Sequence, residues 1–123
     1  NPMSLGRDYA VTRVEGWLAQ AQPEAFTILI GHKPDYILTM NELPIDLCLA
    51  GHTHGGQIRI PGYGPLVTFS WVPPQWARGF HEIGETRMNV SAGIGAEHAH
   101  GLPSIRLFCP PEMTLIECTP RSH

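Results

Sequence analysis

Basic charge is scarce in this chain: 8 lysines and arginines stand against 11 aspartates and glutamates in 123 residues, for a net charge of −3. A nucleic-acid groove needs a basic stripe, so no nucleic-acid partner is expected. An anionic substrate stays open, because bound divalent cations reverse a local field. Cysteine is scarce too. Cys48, Cys109 and Cys118 are odd in number and lack Cys-x-x-Cys spacing. Cys48 and Cys118 fall in predicted buried strands, where small apolar packing is their expected role. That usage favours a reducing, cytoplasmic compartment. No apolar run reaches membrane-spanning length, the first residues carry no basic-then-apolar signal pattern, and there are no repeats. The length suffices for one hydrophobic core.

What the chain does have is histidine in telling places. Gly51-His52-Thr53-His54-Gly55-Gly56-Gln57 sets two imidazoles two residues apart where the apolar run 45–50 breaks into glycines. The run, bounded by Pro44 and Gly51, reads as a buried strand, and open α/β sheets place ligands at the carboxyl ends of such strands. In a turn the two rings can diverge toward neighbouring metal ions, and Gly55 and Gly56 permit the positive φ values this needs. The competing reading is a pair of surface histidines titrating near neutrality. A second site upstream shifts the balance. The run 26–30, rich in β-formers, also ends in Gly-His, within Gly31-His32-Lys33-Pro34-Asp35. Joined by a short helix over 36–41, the two strands form a β-α-β unit that brings both histidines to one sheet edge.

Elsewhere the pattern predicts an amphipathic helix over 7–22, with Tyr9, Val11, Val14, Trp17, Leu18 and Ala21 on its apolar side and Pro23 stopping it. A short strand over 57–60 precedes a turn at 62–65. A surface loop over 66–76 holds Pro73, Pro74, Phe69, Trp71 and Trp76. Trp71 and Trp76 read either as an apolar wall beside a site or as packing of the loop on the sheet. A hairpin joins strands over 79–83 and 87–92 through Gly84-Glu85. A final strand over 113–118 is expected to bury Leu115 and Ile116 on opposite faces. The predicted class is α/β (α+β), a mixed sheet with flanking helices, in one unit spanning 1–123. His98 and His100 repeat the His-x-His spacing and read as solvated loop histidines.

Gly31-His32-Lys33-Pro34-Asp35 and Gly51-His52-Thr53-His54-Gly55-Gly56-Gln57 resemble the last two metal-binding motifs of calcineurin-like metallophosphoesterases, in the bacterial branch with the extended second motif. The likeness continues through Trp76-Ala77-Arg78-Gly79, Val90-Ser91-Ala92-Gly93-Ile94-Gly95 and Cys109-Pro110-Pro111-Glu112-Met113-Thr114-Leu115. The family's first three blocks, Asp-x-His, Gly-Asp-x-x-Asp and Gly-Asn-His-Asp/Glu, have no counterpart here. The resemblance therefore implies a carboxy-terminal half: one half of a four-layer α-β-β-α sandwich, starting mid-domain.

Carried over residue by residue, the resemblance implies that His32 and His52 bind one divalent metal and His54 the other. The intact site would hold two ions, with Mn, Fe, Zn and Ni all compatible with imidazole. Metal-bound hydroxide would attack a phosphate ester or pyrophosphate, with the bridging aspartate and the histidine that protonates the leaving group outside this chain. The chain alone is then expected to be inactive. Arg78 is a candidate to pair with a phosphate or carboxylate, and Asp35 to orient an imidazole. The uncovered sheet calls for a partner, either the missing amino-terminal half or a homodimer. The alternative is a stand-alone, non-catalytic metal-binding or protein-interaction module that retains a remnant of the fold.

Overall fold

The computed structural model describes residues 2–96 and 104–120. His98 and His100 lie outside them. In chain order the elements are α1 (Pro2–Leu18), β1 (Ile28–Ile30), α2 (Ile37–Met40), β2 (Leu47–Ala50), β3 (Arg59–Ile60), β4 (Gly64–Pro65), β5 (Gly79–Ile83) and β6 (Thr86–Val90). Single 3₁₀ turns cover Pro34–Tyr36, His54–Gly56 and Pro74–Ala77.

β1, β2, β6 and β5 form, in that order, a four-stranded sheet. β1 and β2 are parallel, β2 and β6 are parallel, and β5 and β6 close an antiparallel hairpin. The predicted β-α-β unit is thus present, with its connection split into the 3₁₀ turn and α2. β1 begins later than the apolar run because the Thr27 carbonyl serves two amides, Asp46 N and Leu47 N, each at 3.1 Å. The Thr27 amide in turn donates to Asp46 Oδ2 at 2.7 Å. This pinch takes Thr27 out of the ladder. The turn predicted at 62–65 is tighter than expected, since Gly64–Pro65 itself pairs with Arg59–Ile60 as a two-stranded ribbon.

Residues of one ladder row share a face of the sheet. One face carries Leu29, Cys48, Ala50, Met88 and Val90. Val14 of α1, Ile37 and Met40 of α2, Ile45 and Val72 cover it, making the core. Full burial of a side chain such as Ile37 or Met88 stabilises by roughly 1.5–3 kcal/mol. The opposite face presents Ile28 (46% exposed), Ile30 (76%) and Phe80 (53%) beside the buried Leu47 and Asn89. This is a mixed α/β sheet with helices on one side and apolar residues open on the other, as two of the four sandwich layers would be.

Two expectations fail. In α1, Ala10, Val11, Val14 and Leu18 face the core, while Tyr9 and Trp17, assigned to the same apolar side, are exposed. They stand one turn on either side of Arg13, whose guanidinium carbon lies 6.0 Å from the Tyr9 ring and 5.7 Å from the Trp17 ring. The i, i+4 row 9-13-17 simply points away from the 10-14-18 row. The helix also ends at Leu18, and residues 19–21 continue as tight turns. The second failure is the final strand. Residues 113–118 join no ladder, Leu115 is 95% exposed, and Cys118 is exposed rather than buried. A run of β-formers becomes a strand only against an edge that will hydrogen-bond it, and this run finds none among the described residues. No helix among the described residues is long and apolar enough to cross a membrane.

Candidate metal centre

The parallel pairing of β1 with β2 puts their carboxyl ends side by side. Beyond the last rung the chains stay tied, with Gly31 N donating to Leu49 O at 2.9 Å and Gly51 N to His32 O at 3.1 Å. Those two bonds set the next side chains facing each other. His32 Nε2 lies 3.0 Å from His52 Nδ1, and the rings meet edge to face with centroids 4.7 Å apart. One ring donates and the other accepts.

The segment after β2 bends through a left-handed stretch. φ is +67° at His52, +48° at His54 and +45° at Gln57, besides +64° at Gly55 and +83° at Gly56. Each non-glycine residue held there costs on the order of 1–3 kcal/mol and persists only where its surroundings over-determine it. The surroundings do so. Thr53 Oγ1 donates to Ala77 O at 2.6 Å and accepts from Gly55 N at 3.3 Å. Arg59 Nη1 donates to Gly55 O at 2.9 Å, Cys109 Sγ to His54 O at 3.3 Å, and Leu107 N to Gln57 O at 2.8 Å. The glycines are required twice over. A Cβ on Gly55 would lie 2.6 Å from Cys109 Sγ, and one on Gly56 2.3 Å from Pro65 Cβ.

The remaining candidates are placed as follows. Asp35 Oδ1 accepts from Ser70 Oγ at 2.6 Å, Trp71 N at 2.5 Å and Val72 N at 3.3 Å. It therefore anchors the 70–72 loop, a different task from orienting an imidazole. That anchor leaves the Trp71 side chain turned out to solvent, while Trp76 packs against the core. Arg78 Nε donates to Glu112 Oε2 at 2.5 Å, a carboxylate pairing, and Glu112 Oε1 accepts from Ala92 N at 3.0 Å. Sequence reasoning quoted Cys109 and Glu112 only as part of a family-like stretch and gave them no role, and it missed Arg106, whose guanidinium is ringed by the carbonyls of Ala92, Gly93, Gly95, Cys109 and Pro110. No spacing rule flags these roles.

Two residues beneath the histidine pair have shifted acidities. Burial pushes the Cys48 thiol up to about 11, offset in part by its hydrogen bond with Tyr36. Burial raises the Tyr36 phenol far above its ordinary range, with Cys48 adding to the effect. Both stay protonated at neutral pH.

Two tetrahedral bonds of about 2.0–2.1 Å put a cation's donors about 3.3 Å apart. The 3.0 Å approach of His32 and His52 is compatible with one shared divalent ion once the proton between the two nitrogens is given up. Among the described residues no three His, Cys, Asp or Glu side chains converge on one point, so His54 does not complete a three-ligand set with them. A groove of about 850 Å³ along the β3–β4 ribbon includes none of the histidines and is not the site.

Comparison with known proteins places this geometry in context. The chain is 38% identical over 104 residues to the metallophosphoesterase YkuE of Bacillus subtilis, covering 82% of this chain and 34% of that protein. It is 33% identical over 110 residues to the phosphodiesterase YaeI of Escherichia coli, covering 82% and 37%. It is 31% identical over 98 residues to the UDP-2,3-diacylglucosamine pyrophosphatase LpxG of Chlamydia muridarum, covering 74% and 28%. The chain spans about a third of the length of these curated relatives. No protein-family profile and no solved structure matches it.

Proposed function

Because the chain belongs to the metallophosphoesterase family, we propose that it is the carboxy-terminal part of one metal-dependent phosphoesterase domain, supplying three ligands to a two-metal site. His32 and His52 hold one divalent cation and His54 reaches the second. The observation that carries this reading is the 3.0 Å approach of His32 Nε2 to His52 Nδ1 at the carboxyl ends of adjacent parallel strands. When bound, the cations supply Lewis acidity toward phosphoryl oxygens and acidify water. This chain's own part is to hold imidazoles at fixed spacing, His32 at the end of β1 and His52 and His54 on a braced loop with positive φ. Arg78, held by Glu112, stands under that loop, with its Cδ 3.6 Å from a Cβ built on Gly55. There it steadies the loop or turns toward a substrate phosphate.

The substrate class is a phosphate ester or anhydride, in line with the phosphodiesterase and pyrophosphatase among the relatives. The open face bearing Ile28, Ile30 and Phe80 takes the rest of the enzyme, or in its absence a second copy of the chain. No carboxylate joins the histidine pair among the described residues. That favours an inactive isolated chain, and it keeps open a non-catalytic metal-binding or interaction module. An upstream reading frame carrying the Asp-x-His and Gly-Asn-His blocks decides between the two.

Calorimetry tests the ligand assignment. The chain should bind one divalent ion, more weakly in acid as protons compete for the ligand nitrogens. His32→Ala/His52→Ala should abolish that binding. Unchanged binding in the double variant places the site elsewhere. Added Mn²⁺ should produce negligible turnover of an aryl phosphodiester. Turnover that survives purification and is lost in His52→Ala refutes the inactive reading.

A further inference from the structure

The Tyr36 hydroxyl donates to Leu49 O at 2.9 Å and is shared with Leu29 O at 3.3 Å. Those carbonyls sit at equivalent places, each three residues before the histidine of its own strand end. Leu29 leads to His32, and Leu49 to His52. Among the described residues β1 is an edge strand with β2 as its single neighbour in the sheet. Its carboxyl end is therefore free to drift unless something bridges the gap. The two amide bonds beyond the ladder do part of this. The phenol does the rest from beneath, and it is itself fixed. Its ring edge fills the space where a Cβ on Gly31 would lie, 2.2 Å from Cε1. Its carbonyl accepts from Thr39 Oγ1 at 3.0 Å, and the helix it opens is anchored by the fully buried Ile37.

We propose that Tyr36 is a positioning residue for the imidazole pair, its hydroxyl fixing the distance between the two strand ends that carry His32 and His52. The proposal rests on the reading of these histidines as ligands of one cation, and its consequence for spacing stands without the metal. A phenol that remains protonated across the working range is a permanent donor, so the tie does not switch off with pH. Tyrosine suits the task, since one rigid ring spans the distance from α2 to both carbonyls and ends in a single donor.

The test uses Tyr36→Phe in the 123-residue chain, which keeps the ring against Gly31 and deletes only the hydroxyl. Imidazole ¹⁵N spectra of the metal-free protein should show one fixed tautomer for each of His32 and His52 in the wild type. Averaged tautomers are expected in Tyr36→Phe. Zn²⁺ calorimetry should show about tenfold weaker binding in the variant. Thr39→Val removes a neighbouring hydroxyl bond of the same turn. It should move the urea midpoint while leaving the imidazole signals and Zn²⁺ affinity alone, which separates positioning from general destabilisation. Gly31→Ala keeps the hydroxyl but pushes the ring off its seat, so it should reproduce the averaged tautomers if Tyr36→Phe does not fold. Wild-type imidazole signals in folded Tyr36→Phe overturn the proposal, as do wild-type rings that average already. If His32→Ala/His52→Ala binds Zn²⁺ like the wild type, the ligand reading fails, and the tautomer spectra alone then decide the role of Tyr36.

Discussion

At the end of β1 a Cβ placed on Gly31 would lie 2.2 Å from the Tyr36 ring, whereas at the end of β2 one placed on Gly51 meets nothing nearer than Ser91 O at 3.9 Å. The backbones reverse the pattern. His52 sits at φ +67°, and His32 is not among the residues with positive φ. Two Gly-His pairs that look interchangeable in sequence are thus held by different means. The first needs glycine for room and keeps its histidine in ordinary conformation. The second has room to spare and stores its strain in the histidine. A shared dipeptide reports a shared destination for the side chain and says little about how the backbone reaches it.

The widest gap between the two ends should appear on filling the glycines. Gly31→Ala drives a methyl into an aromatic ring that cannot retreat without leaving Leu29 O and Leu49 O. Overpacking of this kind costs roughly 1–3 kcal/mol. Gly51→Ala adds a methyl in ordinary contact at a position without positive φ and should stay within about 0.5 kcal/mol. Urea denaturation of the two variants checks both figures. Equal losses would show that the Tyr36 ring is not what reserves position 31 for glycine.

A smaller and opposite difference is expected at the histidines. Both His52→Ala and His52→Gly lose the ring and its contact with His32, so their difference isolates the backbone. Glycine occupies the left-handed region freely, and His52→Gly should be about 1 kcal/mol more stable than His52→Ala. At position 32 the order should invert, with glycine less stable than alanine by roughly 0.5–1 kcal/mol because of its greater freedom in the unfolded chain. Alanine favoured at both positions would mean that the strain at position 52 is absent in solution.

The parts of this site legible in sequence were those written in one stretch of chain. The runs 26–30 and 45–50 announced strands, and their Gly-His endings announced where the imidazoles meet. The β5–β6 hairpin was legible from its Gly84-Glu85 turn for the same reason. The final segment was not. Residues 113–118 have the composition of a strand, but pairing depends on an edge elsewhere, which composition does not report. Tyr9 and Trp17 misled because large aromatics were counted as core, while the periodicity that mattered was the narrower 10-14-18 row. Cys109 and Glu112 were visible as part of a family-like stretch without a role, because their partners His54 O, Arg78 and Ala92 N lie far away in sequence; nothing in the sequence marked Tyr36 or Arg106, whose carbonyl partners carry no side-chain signal.

A last contrast concerns the ground beneath both strand ends and the loop that follows them. Cys48 lies in β2 on the core face, next to the Tyr36 phenol, and burial lifts its pKa from 9.0 to about 11. A thiol whose folded value is raised binds its proton more tightly in the native protein than in the unfolded chain. Its contribution is therefore complete below about pH 9 and is lost as pH rises through about 11. Tyr36 reinforces the trend, because its phenol is raised as well and the unfolded chain would surrender that proton first. Urea midpoints measured from pH 8 to 11 should fall, and Cys48→Ala should flatten the slope while lowering the curve as a whole through the small cavity it leaves. Cys48 belongs to β2 and Tyr36 bridges both strand ends, so the alkaline loss should disturb His32 and His52 together. Imidazole spectra recorded across the same range would show His32 and His52 moving before His54, and simultaneous change at all three would place the alkaline transition in global unfolding instead.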